Sequence, residues 1–339
     1  MNVRLEDVTA LNRLIHGYKI SRMIGLATDL GIADQISATG AVSASVLATD
    51  CGVLVDPLLR LCRTLASFGI FTVNAEHMVG HSRQSLLLRT DSNPSLHFAA
   101  RLFTGPSDWA AWGELGKAMQ GATPFRELWG AERFEYMKTH PDEARLFDAV
   151  MANQPDDRLG AIAAAYDFSG ASLIVDIGGG NGALLRAILT RYPGPRGLVF
   201  DRDDVVGAIS IDDRCGDRIQ VESGDFFERT PPAADLYLLS WILHDWSDDQ
   251  CLRILRNCRR AMRTGTRLLV VERVLELDPT EGNTVDYLSD MNMMVVNGGR
   301  ERTVPEFQRL LTATGFGPAR PFPTTSPVWI IETAATKIL

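Results

Sequence analysis

The sequence is short of the features that most simply announce a function. Its five cysteines (Cys51, Cys62, Cys215, Cys251, Cys258) include no CxxC pair, and no His/Cys cluster accompanies them. Neither a metal site nor a disulfide framework is indicated; free, mostly buried thiols in a reducing cytoplasm are expected, and no metal. No apolar run is long enough to span a bilayer, and the start, Met1 to Asp7, is polar and charged, unlike a secretory signal. Surplus basic charge is absent too: 34 Lys and Arg stand against 42 Asp and Glu, a net charge of −8. That balance argues against general affinity for nucleic acid or an anionic membrane. There is no internal repeat and no low-complexity segment.

What is present reads as an ordinary globular chain of 339 residues, 45% apolar and 22% charged, long enough for two domains. Its organising stretch is Leu173-Ile-Val-Asp-Ile-Gly-Gly-Gly-Asn-Gly182. A short buried strand runs into a turn with glycines at alternate positions, Gly178, Gly180 and Gly182, and a helix pattern starts at Ala183. Strand, glycine turn and helix open a nucleotide-binding α/β fold. Glycine suits such a turn because a side chain would hold a ligand off the backbone, and some positions call for φ > 0.

Upstream the pattern is helical. Apolar residues recur at helical spacing over 8–36, which invites either a partner or packing within the domain. Over 43–73 the sequence reads as helix-turn-helix, with Ser43 as a cap, Asp56-Pro57 opening a second helix and Gly69 closing it. Ile70 to Val73 begins a hairpin whose return is expected over His81 to Leu88. This is a winged-helix pattern. Its second helix offers only Arg60 and Arg63, so a structural or dimerising use is preferred to DNA binding. Residues 96–168 form another helical region rich in aromatics and methionine, expected to mix core positions with a few that line an apolar pocket.

From residue 171 strands and helices alternate. Strands are expected at Leu173–Asp176, Gly197–Asp201, Arg218–Val221, Leu236–Ser240 and Thr266–Glu272, with a closing hairpin at Ala319–Thr324 and Val328–Thr333. Such alternation implies a mostly parallel sheet with helices on both faces. In such sheets ligands lie outside the carboxyl ends of the strands, and those ends carry an acid almost every time: Asp176, Asp201, Asp225, Asp245, Glu272. Asp201, 25 positions after Asp176, has the spacing of an acid on a ribose hydroxyl pair. Asp225 with Phe226 suits an adenine amino group and ring face. Both roles fit NAD and S-adenosylmethionine equally. The turn, however, is GxGxG rather than GxGxxG, and the acid before it repels a pyrophosphate while suiting the cationic end of S-adenosylmethionine. His244 lies between a strand end and a helix starting near Ser247, where Ser247 and Gln250 have capping-box spacing. Glu272 and Glu301 are expected to converge on it; a carboxylate on one imidazole nitrogen fixes the tautomer and frees the other to accept a proton.

Six blocks together, Val175 to Gly182, Phe200-Asp201, Gly224-Asp-Phe-Phe227, Trp241-Ile-Leu-His-Asp-Trp-Ser-Asp248, Val271-Glu272 and Gly298-Gly-Arg-Glu-Arg-Thr303, resemble the S-adenosylmethionine-dependent O-methyltransferases of the caffeic acid type and their bacterial polyketide and phenol relatives. The resemblance spans nearly the whole chain. It implies a Rossmann-like class I methyltransferase sheet at 171–339, a helical connector lining the acceptor pocket at 96–170, and a winged-helix-like domain at 1–95 through which a homodimer forms. It implies methyl transfer from S-adenosyl-L-methionine to a hydroxyl of a small aromatic, leaving S-adenosyl-L-homocysteine. His244 is then the general base, flanked by Glu272 and Glu301. Asp176, Gly178, Gly180, Gly182, Asp201, Asp225, Phe226 and Ser240 belong to the donor site. Phe147, Met151, Asp245, Met291 and Asn292 belong to the acceptor side. Two departures stand out: plant members carry Lys where this chain has Ser240, and His where it has Gln154. Three rival readings are a relative that binds the donor but performs hydroxylation, decarboxylation or cyclisation, a nicotinamide dehydrogenase, and a ligand-sensing DNA-binding regulator.

Overall fold

A computed structural model describes residues 4–153, 157–207, 216–232 and 234–337. Cys215 and Gln154 lie outside the described residues. The chain divides into two compact units, one formed by Met1–Glu114 and Leu128–Asp156, the other by Leu115–Glu127 and Asp157–Leu339. Residues 96–170 contribute to both. Among the described residues no helix is long and apolar enough to cross a membrane.

The first unit carries a small antiparallel sheet of β1 (Ala41–Ser43), β2 (Thr72–Val73) and β3 (Met78–Gly80), in the order β1-β3-β2. Ser43 caps the helix Ala44–Asp50 by accepting from the Val46 N–H, and Gly69, at φ +81°, ends the turn after the helix Val55–Ser67. The wing returns earlier than its sequence suggests. Met78–Gly80 is the returning strand, and Arg83–Leu86 is a helical turn capped by Ser82. The reversal is made by Asn74, whose side chain accepts from the Met78 N–H at 2.8 Å, and by His77 in the left-handed region. The helix Leu5–Ile15 buries none of its residues in this chain; Leu5 and Leu14 are 82% and 75% exposed.

The second unit is built on seven strands: β4 (Leu173–Ile177), β5 (Arg196–Asp201), β6 (Ile219–Ser223), β7 (Leu236–Ser240), β8 (Arg267–Glu272), β9 (Arg320–Pro323) and β10 (Trp329–Ala334). Their order is β6-β5-β4-β7-β8-β10-β9. The first five are parallel, and the β9–β10 hairpin joins antiparallel at one edge. The central strands are near-continuous apolar runs because both faces are covered. Val175, Leu239 and Val270 pack with the helices Asp248–Ala261 and Val304–Ala313; Ile174, Leu238 and Leu269 pack with Arg158–Ala165 and Ala183–Arg191. This is the expected doubly covered α/β sheet. From β4 the chain winds to β5 and β6 on one side, then crosses to β7 on the other. The switch point therefore falls between β4 and β7, and a crevice opens beyond their carboxyl ends.

Candidate active site

The glycine turn forms one wall of the crevice. Gly178, Gly180 and Gly182 all have positive φ. At Gly178 space is as decisive as dihedral angle, because a Cβ there would strike the Ile242 side chain arriving from the end of β7. The Gly180 N–H donates to Asp201 Oδ2 at 2.8 Å, which ties the turn to the end of β5. Asp176 is one residue short of the strand end and fully buried. Its Oδ1 has no hydrogen-bond partner among the described residues. Burial, with Asp201 nearby, pushes its carboxyl up to about 7; burial also raises Asp201. An unpartnered buried acid beside a glycine turn has the chemistry to receive a cationic group. Asp225 accepts the Phe227 N–H at 2.7 Å, while Phe226 packs edge-on against Trp246 and is held by Asn257 through its carbonyl. Ser240, half-buried, ends β7.

The other wall is a turn of 3-10 helix, Leu243–Asp245, directly after β7. Its backbone is organised by one side chain. Glu272 Oε1 accepts from the amides of Ile242, Leu243 and His244 at 3.1, 2.8 and 3.4 Å. The other Glu272 oxygen faces His244 Nδ1 at 3.6 Å, and Glu301 Oε1 stands 3.3 Å from the same nitrogen. Both carboxylates therefore converge on Nδ1, while Nε2 lies 3.6 Å from Asp245 Oδ1. Burial alone would lower His244, but Glu272, Asp245 and Glu301 carry it up to about 10. Burial raises Glu272 to about 7 against the pull of His244. For Glu301 burial is overcome by the hydrogen bond from His244, and its carboxyl is lowered.

The block Gly298 to Thr303 is the scaffold of that turn. A π-helical segment, Met293–Asn297, continues the helix Thr284–Asn292 and ends at Gly298, φ +72°. Gly299 has no room for a Cβ, which would overlap the His244 carbonyl oxygen and the Asp245 backbone. The Arg300 N–H donates to that carbonyl at 2.8 Å. Arg302, 1% exposed, donates to the carbonyls of Leu243 and Trp246 and pairs with Asp248 at 2.8 Å. Two sequence blocks 50 residues apart are thus two halves of one structure. Sequence reasoning missed several members of it. Ser289 donates to Glu301 Oε1 at 2.8 Å, Asp290 accepts the Glu301 N–H at 2.9 Å, and Asn297 donates to Asp245. Trp241, at φ +57°, lies edge-on to His244 with the guanidinium of Arg273 over its ring.

The acceptor-side residues fall on elements of both units. Met291 and Asn292 are half-buried on the helix that carries Ser289. Asp245 belongs to the His244 cluster itself. Phe147 and Met151 lie on the helix Pro141–Ala152 of the first unit.

The chain is similar to known proteins over most of its length. The O-methyltransferase domain family matches residues 112–317, and the O-methyltransferase dimerisation domain matches 12–91. A phenazine O-methyltransferase from Lysobacter antibioticus is 37% identical over 95% of this chain and 94% of its own. A phenazine-1-carboxylate N-methyltransferase from Pseudomonas aeruginosa is 34% identical over 94% of this chain and 95% of its own. The crystal structure of human N-acetylserotonin methyltransferase in complex with S-adenosylmethionine aligns with a TM-score of 0.86 at 26% identity, covering 99% of this chain and 100% of that one. The chain belongs to the S-adenosylmethionine-dependent O-methyltransferase family.

Proposed function

We propose that this family member moves the methyl group of S-adenosylmethionine to a hydroxyl of a small aromatic acceptor, with His244 as the base. The observation that carries the reading is the double carboxylate hold on Nδ1, which leaves Nε2 as the one nitrogen able to take a proton. On this reading Asp176 receives the donor's ammonium, the glycine turn carries its amino acid end, and Asp201 and Asp225 take its ribose and adenine. Phe226 covers the adenine ring, and Ser240 stands where plant relatives have Lys.

S-adenosylmethionine, when bound, supplies a methyl already activated by its sulfonium. The chain has to align the acceptor and accept one proton. The acceptor oxygen attacks the methyl carbon as its proton passes to Nε2, the carbon–sulfur bond breaks, and a neutral thioether leaves. At ordinary pKa values, ~10 for a phenol and ~6.5 for His, complete proton transfer beforehand would cost about 5 kcal/mol. The carboxylates around His244 narrow that gap. Met291, Asn292, Phe147 and Met151 are candidate acceptor contacts on the strength of the resemblance alone. The exposed apolar helix Leu5–Ile15, together with the dimerisation domain match, supports a homodimer through the N-terminal domain.

The test is methyl transfer from isotopically labelled S-adenosylmethionine to a panel of mono- and dihydroxy aromatics, polyketides and matched aromatic amines, read by mass spectrometry. Label on oxygen in a phenolic product is the expected result. Label on nitrogen alone, or donor binding with no labelled product across the panel, would overturn the hydroxyl reading.

A further inference from the structure

A neutral imidazole donates from one nitrogen and offers a lone pair at the other. His244 is faced by carboxylate at both. Glu301 and Glu272 stand 3.3 and 3.6 Å from Nδ1, and Asp245 stands 3.6 Å from Nε2. The ring is 6% exposed, Glu272 and Glu301 at most 1%, and each of these glutamates keeps one buried oxygen with no hydrogen-bond partner among the described residues. The surrounding charges do not offset this. Just after β8, Arg273 is ion-paired with Asp286 and helps keep Glu301 ionised. Arg302, in the segment that supplies Glu301, is ion-paired with Asp248. From the helix Thr284–Asn292 comes a further acid, Asp290, behind Glu301. Ser289 and Asn297 are neutral donors. Three carboxylates thus meet one imidazole, and the geometry calls for an imidazolium in the donor-free protein.

An imidazolium cannot take a proton from an acceptor, so the resting ring must lose one before it serves as base. The inference rests on the reading above, in which His244 is that base. In-line transfer places reacting atoms ~3 Å apart and the base within ~3 Å of the hydroxyl. The positive sulfonium therefore comes within roughly 8 Å of the ring, a separation at which like charges in a buried site repel strongly. We propose that entry of the cationic methyl donor drives the proton off His244 into solvent, so that donor binding releases a proton and binding of the neutral thioether product does not. The balance closes over a turnover. Donor binding expels one proton, the acceptor's hydroxyl proton then moves to Nε2, the sulfonium becomes a neutral thioether, and the ring is again imidazolium when product leaves. The proton that the overall reaction produces reaches solvent when the next donor binds. The site also distinguishes donor from product by charge, favouring the former increasingly as pH rises.

The test is titration calorimetry of the whole chain with S-adenosylmethionine and, separately, S-adenosylhomocysteine, in buffers of different ionisation enthalpy between pH 6.5 and 8.5. Both ligands carry the ammonium that Asp176 is proposed to receive, so its protonation contributes alike to each and cancels in the difference. The expected result is more proton release with the donor than with the product, growing toward pH 8.5. The donor-to-product affinity ratio should rise up to about tenfold per pH unit. His244→Gln should abolish the difference while both ligands still bind. In Glu272→Gln, which keeps an oxygen for the three amides, the extra release should shrink. Equal proton release by the two ligands, or a difference that survives in His244→Gln, overturns the proposal while leaving donor binding intact. If neither ligand binds, it is the donor-site reading itself that fails, and this inference with it.

Discussion

Asp176 and Glu272 are both fully buried carboxylates at the carboxyl ends of parallel strands, with one strand between them, and burial pushes both up to about 7. Each keeps one buried oxygen without a hydrogen-bond partner among the described residues, but the other surroundings differ. Asp176 Oδ1 is left without a partner among the described residues, whereas Glu272 Oε1 gathers three backbone amides. A buried acid that is left unsatisfied costs stability and marks a position finished by a ligand. A buried acid that collects amides is scaffold. The contrast extends to the two walls: the proposed donor wall keeps an unpartnered buried carboxylate beside the glycine turn, and the proposed base wall is tied together by its own backbone and side-chain hydrogen bonds.

The substitution with the largest expected effect on the donor wall is Asp176→Asn. Losing a charge-assisted hydrogen bond should weaken S-adenosylmethionine binding about 10- to 100-fold, with kcat at saturating donor much less affected; calorimetric binding and steady-state rates separate the two. The same variant has a signature in the donor-free protein. Because the folded pKa of Asp176 lies above its ordinary value, the folded state holds its proton more tightly than the unfolded one. Its contribution to stability is therefore present at about pH 4 and lost as pH rises through about 7. Thermal melts of Asp176→Asn should show a smaller decline over that range than the wild-type protein. An equal decline would remove Asp176 as its source.

Glu272→Gln sharpens the contrast from the other side. The glutamine carbonyl oxygen can still receive the three amides, so the turn should persist, but one negative charge beside Nδ1 is gone. His244 then loses its proton more readily, and the acid limb of the pH–rate profile should move to lower pH. An unmoved limb would mean that Glu272 acts on the backbone alone. The smallest effect is expected for Ser289→Ala. One hydrogen bond to Glu301 is worth about 0.5–1.5 kcal/mol, so turnover should fall roughly two- to tenfold with donor affinity unchanged.

Much of this arrangement is legible in the sequence. The glycine turn, the acids after successive strands and the meeting of Glu272 with His244 follow from strand alternation, because a parallel sheet gathers its strand ends in one crevice; Glu301, which ends no strand, is legible only through its block Gly298 to Thr303. Ser289 and Asn297 were not legible. A reading at 3.6 residues per turn does not foresee the π-helical segment Met293–Asn297, which changes the side-chain register just before Gly298. Arg302 was passed over because its task is to hold carbonyls, and that leaves no mark in composition. The wing was misread by a few residues because its reversal uses Asn74 and His77 instead of glycine or proline. The apolar spacing over 8–36 could be read as partner-seeking or inward-packing, and for the helix Leu5–Ile15 its exposure in the single chain favours the first.

The central claim is that His244 takes the acceptor's proton, and the most direct measurement compares methyl-transfer rates of the wild-type protein and His244→Ala across phenolic acceptors of graded acidity. With a phenol of pKa ~10 the variant should lose about 10²- to 10⁴-fold in kcat. The loss should shrink as the acceptor becomes more acidic, and nearly vanish for phenols already ionised at the assay pH, with the donor still bound throughout. A defect of the same size for every acceptor, acidic or not, would contradict the account and leave His244 a structural residue.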